Sequence, residues 1–388
     1  MGKRLKMAGL LLCIFTLSNG ITMNSVKAEE IGLTPNASSA MLIEQSSGQM
    51  LYEKDSREKL PPASMTKIMT MLLVMEALEK GELTLDEKVT ASEHAASMGG
   101  SQIFLEAGES MTVDDLLKGV AIASGNDASM ALAEHLAGTE DAFVEKMNQR
   151  VKSLGLTDTH FVNPTGLPAK DHYSTAHDMA MMARELLKHE NITTYTGTYE
   201  DHLRQQSDDP FWLVNTNRLV KFYDGADGLK TGFTSEAKYC LTATAKRNGM
   251  RVIAVVMGAP TSKERNGQIV KMFDYAFNRF ETHKLYEKDV AVGTIRVEKG
   301  QRKHVNAVTE TPVSILTPKG TDVSTLTTFI KLDGPLNAPL AKGDRAGEIH
   351  VKQDGKTVSK TTLVIQEDVD DASWWTLFKR SLAAVSGQ

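Results

Sequence analysis

The chain has 388 residues, of which 41% are hydrophobic and 24% are charged, as in an ordinary soluble globular protein with room for two domains. The formal net charge of −5, without any basic stripe, argues against nucleic acid as a partner. Beyond the N-terminal segment, no apolar stretch is long enough to span a bilayer.

The N-terminus is predicted to be a signal peptide. Three basic residues precede the apolar stretch MAGLLLCIFTL, and small residues around Ala28 suit a cleavage site. We therefore expect export, with residues 1–28 removed after Ala28. Lipidation at Cys13 is a poor alternative, because the leucine before it is larger than the residue that usually precedes a lipidated cysteine. Cleavage after Ala28 would leave only Cys240, so the mature protein would rely on packing rather than on an internal disulfide.

Two strands and a long helical region are predicted next. Residues 39–54 alternate around a turn at Ser47 and Gly48, which favours a hairpin. From Ser64 to about Leu187 the pattern is mostly helical. In the stretch PPASMTKIMTMLLVMEAL, apolar residues recur at intervals of three and four, which predicts a helix facing a core.

Ser64 stands where that helix should begin, directly after two prolines. A serine there could act only as a helix cap. Lys67, however, lies three residues further on, so on a helix the two Cβ atoms would be about 5–6 Å apart on one face. The other Ser-x-x-Lys sequences, at Ser56 and Ser235, do not open an apolar helix. Ser64 is therefore the candidate nucleophile, and a helix N-terminus would favour the negative charge that develops during its reaction.

Two later stretches complete a set of motifs. AIASGNDAS and DGLKTGFTS contribute Ser124, Gly125, Asn126, Lys230, Thr231 and Gly232. Individually they are typical of a turn, a cap and a loop that enters a strand. In this order after Ser64 and Lys67, they match the S-x-x-K, S-x-N and K-T-G motifs of penicillin-recognising serine enzymes.

The remaining chain is predicted to contain more strands, one helix and a distinct tail. Residues 238–259 indicate two strands joined by KRNG, and KERNGQIVKMFDYAFNRF indicates a helix. Strands, helices, strands and a closing helix predict an α+β domain over residues 29–283. Short alternating runs over 284–367, broken by Gly, Pro and Asn, predict a small all-β domain without a catalytic motif.

Residues 368–388 end in a predicted amphipathic helix. Its apolar side would carry Trp374, Trp375, Leu377, Phe378, Leu382 and Val385. Lys379 and Arg380 fall largely opposite. Tryptophans beside basic residues are typical of a helix that lies in a membrane interface. A helix packed on its own domain is the alternative explanation of the same pattern.

With PASMTKIMT, IASGNDAS, FVNPTGL, YSTAHDMA and DGLKTG, the chain resembles the D-alanyl-D-alanine carboxypeptidases, which are low-molecular-mass penicillin-binding proteins, from Ser38 to Gln388. EHAASMGGSQIFLE and the tail are closest to a type from spore-forming bacteria. The resemblance implies a β-lactamase/transpeptidase-like catalytic domain, a β-rich second domain and a C-terminal anchor. It also implies a peripheral position on the extracytoplasmic face of the bacterial membrane.

The implied substrate is the peptidoglycan pentapeptide, whose terminal D-alanine is removed through an acyl-enzyme on Ser64. This reaction would limit cross-linking in the cell wall and so affect cell shape, and β-lactams would acylate the same serine. Lys67 would be the general base, Ser124 would pass a proton to the leaving nitrogen, and Asn126 would hold Lys67 and the substrate backbone.

The resemblance assigns the remaining site residues to substrate binding. Lys230 and Thr231 would bind the terminal carboxylate, and Arg265 would assist, although a surface arginine that starts a helix is an equally good explanation. The backbone N–H groups of Ser64 and Phe233 would form the oxyanion hole, and Gly232 would permit a close backbone approach. Lys67 acts as a base only if its pKa falls from about 10.4 to about 7–8, which burial and the charge of Lys230 would favour.

Three other functions share some of these motifs. A class A β-lactamase is disfavoured, because Gly125 stands where Asp is expected and no deacylating glutamate loop is evident. A D,D-endopeptidase would carry the same motifs, and a catalytically silent penicillin-binding sensor also stays open. No metal and no other cofactor is expected. H-E-x-x-H is missing, and His172 and His177 lack an evident third ligand, so we expect them in a loop and on a helix surface.

Overall fold

The computed structural model describes residues 32–353 and 355–385, so the predicted signal peptide lies outside the described residues. From Thr34 onward, the described chain belongs to one compact unit. Its first part has the elements β1 Ser39–Glu44, β2 Met50–Lys54, α1 Lys67–Glu79, β3 Lys88–Thr90, α2 Glu93–Ala96, β4 Ser110–Thr112, α3 Val113–Ala121, α4 Asn126–Ala137, α5 Glu140–Ser153, α6 Ala176–Leu186, α7 Ile192–Thr196, β5 Glu200–Leu203, β6 Phe211–Val214, α8 Leu219–Phe222, β7 Ala226–Thr234, β8 Lys238–Arg247, β9 Met250–Ala259 and α9 Ser262–Arg279.

An antiparallel sheet with the order β2-β1-β9-β8-β7 organises this part. Both predicted hairpins are confirmed: β1 pairs with β2 around Gly48, and β8 pairs with β9 around Asn248 and Gly249. The helices α6 and α9 both pack on β9, whose residues 252–257 are all buried. The α+β fold class is therefore confirmed.

The helix α1 is buried on nearly all sides, rather than along one apolar stripe. Lys67, Thr70 and most of the apolar residues of α1 lie in the interior, against α4, α5 and α6. A helix that is enclosed in this way holds its polar side chains rigidly, since each buried polar group must find a partner inside the protein.

The K-T-G motif lies in a different element from the one predicted. Lys230, Thr231 and Gly232 do not precede a strand; they lie inside β7, the edge strand of the sheet. The glycines of DGLKTG hid this strand, because glycine is depleted in strands. The edge position leaves one side of β7 without a neighbouring strand, next to the turn that carries Ser64.

The C-terminal part is rich in strands: β10 Phe280–Tyr286, β11 Ala291–Glu298, β12 His304–Thr309, β13 Val313–Pro318, β14 Thr327–Leu332, β15 Leu336–Asn337, β16 Arg345–Gln353, β17 Lys356–Ile365 and then α10 Trp374–Val385. Six strands form a sheet with the order β14-β16-β17-β12-β11-β15, and β10 pairs with β13. A separate hydrophobic core supports this region. The boundary predicted after residue 283 falls inside β10.

The helix α10 shows its aromatic side to solvent. Trp374 is 72% exposed, and its ring stacks on Phe378 with centroids 5.3 Å apart. Arg380 donates hydrogen bonds to the carbonyls of Gly300 and Gln301, which ties the helix to the β-rich region. None of the helices in the described part of the chain is long and apolar enough to cross a membrane.

Candidate active site

The chain enters α1 through a 3-10 turn over Ala63–Thr66, and this turn carries the half-buried Ser64. Neither this turn nor α1 has a side-chain cap, so Ser64 is not an N-cap and α1 begins three residues later than predicted. The Ser64 hydroxyl instead accepts a hydrogen bond from Lys67 Nζ at 3.1 Å. The nucleophile and its candidate base are therefore in direct contact.

The ammonium group of Lys67 is completely buried and has three partners. Besides Ser64 Oγ, Lys67 Nζ contacts Asn126 Oδ1 at 2.6 Å and the carbonyl oxygen of Thr165 at 2.7 Å. The last two oxygens can only accept hydrogen bonds, whereas a hydroxyl can also donate. When Lys67 loses a proton, its two remaining N–H groups can satisfy those oxygens. The lone pair then points at the proton of Ser64.

The surroundings of Lys67 favour its neutral form. Burial, and then the charge of Lys230, hold the pKa of Lys67 well below its usual range, while the buried carboxylate of Asp127 opposes this shift. Asp127 is itself occupied, because it accepts hydrogen bonds from the backbone N–H groups of Ile103 and Leu105. The expected lowering of the Lys67 pKa thus has the causes that the sequence suggested.

The turn between α3 and α4 places the second motif against Lys67. Ser124 is buried with φ +66°, and its hydroxyl has no hydrogen-bond partner among the described residues. Asn126 begins α4 and holds Lys67 through Oδ1, while its Nδ2 donates to the carbonyl of Gly99 at 2.6 Å. The amide of Asn126 is therefore fixed in orientation, and the hydroxyl of Ser124 is free to exchange a proton.

The third motif lies on β7. Lys230 is completely buried, and burial, together with the charge of Arg265, lowers its pKa to about 7. The hydroxyl of Thr231 donates to Thr216 Oγ1 at 2.7 Å. Lys230 is therefore only partly protonated near neutral pH. A carboxylate that binds beside it would stabilise its protonated form.

Gly232 and Phe233 complete the strand next to Ser64. A Cβ atom on Gly232 would lie 2.7 Å from the carbonyl oxygen of Pro62, so only glycine lets β7 approach the nucleophile turn this closely. The ring of Phe233 is 53% exposed and packs on Tyr239, with centroids 4.5 Å apart.

Arg265 is not the surface residue that the alternative explanation required. It is 6% exposed on α9, and its guanidinium donates to Asn266 Oδ1 and, at 3.4 Å, to the carbonyl of Cys240. Burial lowers the pKa of Arg265 to about 10. Cys240 is a free thiol buried in β8, and burial raises its pKa to about 11.

A loop that sequence reasoning left without a role holds the site together. Asn163 Oδ1 accepts hydrogen bonds from the backbone N–H groups of Thr165 and Gly166, and Thr70 donates to the carbonyl of Pro164 at 2.7 Å. The loop thereby presents the Thr165 carbonyl to Lys67. The N-P-T-G sequence indicated a turn, but a functional backbone oxygen leaves no residue-type signal.

The two histidines have structural contacts. His172 is buried in a loop, accepts from the N–H of Val162 at Nδ1, and so donates from Nε2 to Thr66 Oγ1 at 2.8 Å. Burial lowers the pKa of His172 to about 4. His177 contacts Asp178 Oδ1 at 2.8 Å. Within residues 32–353 and 355–385, no group of three or more metal-ligating side chains occurs.

Comparisons with known proteins agree with this geometry. A family model described as D-alanyl-D-alanine carboxypeptidase matches residues 23–261, and one described as penicillin-binding protein 5, C-terminal domain, matches residues 280–371. The chain is 54% identical over 374 residues to the D-alanyl-D-alanine carboxypeptidase DacF of Bacillus subtilis (strain 168), covering 96% of each chain. It is 35% identical to DacC of Escherichia coli (strain K12), over 86% of this chain and 84% of that one. Crystal structures of penicillin binding protein 5 from Haemophilus influenzae superpose with a TM-score of 0.68 at 34% identity, over 87% of this chain and 98% of that chain.

Proposed function

The chain belongs to the D-alanyl-D-alanine carboxypeptidase family of serine peptidases, and from this premise we propose how its residues carry out the reaction. The substrate is a peptidoglycan stem peptide that ends in D-Ala-D-Ala. The observation that carries the proposal is the buried Lys67 Nζ, 3.1 Å from Ser64 Oγ and aimed at it by two acceptor oxygens.

Acylation begins with neutral Lys67. Ser64 Oγ attacks the penultimate carbonyl carbon while Lys67 Nζ takes the hydroxyl proton. The negative charge that develops on the carbonyl oxygen is stabilised by the backbone N–H groups of Ser64 and Phe233, each worth about 3–4 kcal/mol when well positioned. The C–N bond then breaks as Ser124 gives its proton to the departing D-alanine nitrogen and takes a proton from Lys67, which leaves Lys67 neutral again.

Deacylation reuses the same base. Once D-alanine has left, water attacks the ester carbonyl on Ser64, and Lys67 takes the proton of that water. The ester C–O bond breaks, Ser64 recovers its proton, and the shortened peptide is released. A β-lactam would acylate Ser64 by the same attack.

The terminal carboxylate of the substrate is recognised by positively charged residues, of which Lys230 lies in β7 and Arg265 in α9. Lys230 and Thr231 bind it, and Arg265 strengthens the positive potential there, because its charge lies close enough to lower the pKa of Lys230. A carboxypeptidase must recognise this group, since the free C-terminus distinguishes its substrate from a cross-link.

Two measurements test this proposal together. The mature protein should release D-alanine from a peptide that ends in D-Ala-D-Ala and should bind labelled penicillin at Ser64, and Ser64→Ala should lose both activities. Penicillin bound at Ser64 without D-alanine release would indicate an endopeptidase or a silent sensor instead. D-alanine release that persists in Ser64→Ala would contradict the assignment of the nucleophile.

We also propose export after Ala28, a catalytic domain over 29–283, a β-rich domain over 284–367, and attachment to the extracytoplasmic face of the membrane through residues 368–388. The exposed aromatic side of α10 and the docking of Arg380 on the β-rich region support this arrangement. Deleting residues 372–388 should release the protein from membranes, and unchanged membrane binding would contradict the anchor. The resemblance of EHAASMGGSQIFLE and the tail to a type from spore-forming bacteria is the basis for proposing a role in sporulation, which spore counts of a deletion strain would test.

A further inference from the structure

The guanidinium group of Arg265 is buried without an acidic partner. Arg265 is 6% exposed, and it forms no ion pair with any carboxylate in the described part of the chain. A buried arginine is normally paired, because an uncompensated charge in the interior is costly. The positive charge of Arg265 is therefore available to an anion that does not belong to the chain.

The acidic residue next to Arg265 is engaged elsewhere. Glu264 lies in the first turn of α9, and its Oε1 accepts a hydrogen bond from the hydroxyl of Thr261 at 3.2 Å. Its Oε2 accepts a hydrogen bond from Asn36 Nδ2 at 2.6 Å. Because both carboxylate oxygens have partners, Glu264 is held away from the guanidinium and does not neutralise it.

Asn266 is the side chain that contacts the guanidinium of Arg265. Its Oδ1 accepts hydrogen bonds from Arg265 Nε at 3.0 Å and from Nη2 at 2.9 Å, which fixes the plane of the group. Arg265 Nη1 donates to the carbonyl of Cys240 at 3.4 Å. A guanidinium has five N–H groups. Three are used by these contacts, so two are left without a partner among the residues that the structure describes.

We propose that Asn266 is a positioning residue for recognition of the terminal carboxylate. Its uncharged amide oxygen orients Arg265 while the guanidinium keeps its full charge and two free N–H groups for the substrate. An aspartate at this position would orient the group equally well, but it would cancel part of the charge. The inference rests on the proposed function, because it takes Arg265 to be part of the carboxylate site.

The test compares two substrates that differ only at the C-terminus. They are Nα,Nε-diacetyl-L-lysyl-D-Ala-D-Ala and the same peptide with a C-terminal amide. Because the broken bond is the same, the ratio of their kcat/KM values measures recognition of the carboxylate. Asn266→Asp should lower this ratio about tenfold and Asn266→Ala about fivefold, as expected for weakened hydrogen bonds from a charged group. The value of kcat/KM for the amide should change less than about twofold.

The pH dependence separates the two variants. The charge of Arg265 contributes to the low pKa of Lys230, which is about 7. A carboxylate at position 266 would weaken this influence, so the fall of kcat/KM for the free-acid peptide should move to higher pH by about 0.5–1 unit in Asn266→Asp. Asn266→Ala leaves the charge of Arg265 in place, and the fall should stay near pH 7.

Asn278→Asp is the matched control, because Asn278 is exposed near the other end of α9. The substrate ratio and the pH dependence should both stay as in the unaltered protein. If Asn266→Asp slowed both substrates equally and left the pH dependence unchanged, Asn266 would only stabilise the protein and the inference would be overturned. Absence of D-alanine release by the unaltered protein would instead count against the proposed function, on which this inference depends.

Discussion

Replacing Gly166 by alanine should slow the reaction without changing any catalytic side chain. Gly166 has φ +84°, and an added Cβ would lie 1.9 Å from the carbonyl oxygen of Ala63 and 2.9 Å from the backbone nitrogen of Ser64. Real Cβ contacts essentially never fall below 3.0 Å, so the backbone has to move by about 1 Å. A displacement of this size at the nucleophile should lower kcat about 10²-fold.

The same substitution at Gly155 is the control. Gly155 has φ +71°, but nothing lies within 4 Å of an added Cβ. The free energy of unfolding of Gly155→Ala should therefore fall only by the cost of the left-handed backbone conformation, about 1–2 kcal/mol. We expect both variants to lose this amount in urea unfolding, and only Gly166→Ala to lose additional stability and D-alanine release. If the two variants had equal kcat and equal stability, the packing of the Asn163–Gly166 loop on the nucleophile turn would have no role in catalysis.

Three further predictions concern charged and titrating groups. Because the pKa of Lys230 is lowered to about 7, kcat/KM for peptides should fall as pH rises through about 7. Lys230→Arg should move this decline to higher pH, and a decline at an unchanged pH would contradict its assignment to Lys230. The His172 pKa of about 4 lies below its unfolded value, so only the unfolded chain takes up a proton as pH falls from about 6.5 to about 4. The free energy of unfolding should therefore decrease by up to about 3 kcal/mol over this range, and it should decrease less in His172→Gln. Equal pH dependence of urea unfolding in both proteins would refute the contribution of His172. Arg265→Ala should lower kcat/KM for the peptide more than the rate of penicillin acylation, and equal effects would argue against carboxylate binding by Arg265.

The sequence predicted the parts of the fold and the site that side-chain identity encodes. Ser64, Lys67 and Asn126 were identified from motifs, and the structure brings these three together. The hairpins at Gly48 and at Asn248 followed from turn chemistry, because few residues adopt those backbone angles.

What the sequence did not reveal depends on backbone atoms and on burial. The Thr165 carbonyl contacts Lys67, yet a carbonyl oxygen is present on every residue and carries no signal. The strand position of the K-T-G motif was hidden by Gly228 and Gly232. Gly232 is needed because β7 approaches Pro62 closely, and a Cβ atom on Gly228 would collide with Thr196. For Arg265, a surface position explained the sequence as well as a place in the site did. An arginine at the start of a helix gives no indication that the fold buries it.

The central claim is that Lys67 is neutral when it meets Ser64, and its protonation state can be measured directly. A pH titration of the mature protein with 13C-labelled lysine side chains, assigned with Lys67→Arg, would follow the Lys67 Cε resonance. We predict that Lys67 loses its charge well below its ordinary pKa of about 10.4, and at a still lower pH in the unaltered protein than in Lys230→Met, which lacks the neighbouring charge. A Lys67 that stays protonated above about pH 9 would contradict the account, because it could not act as the base for Ser64.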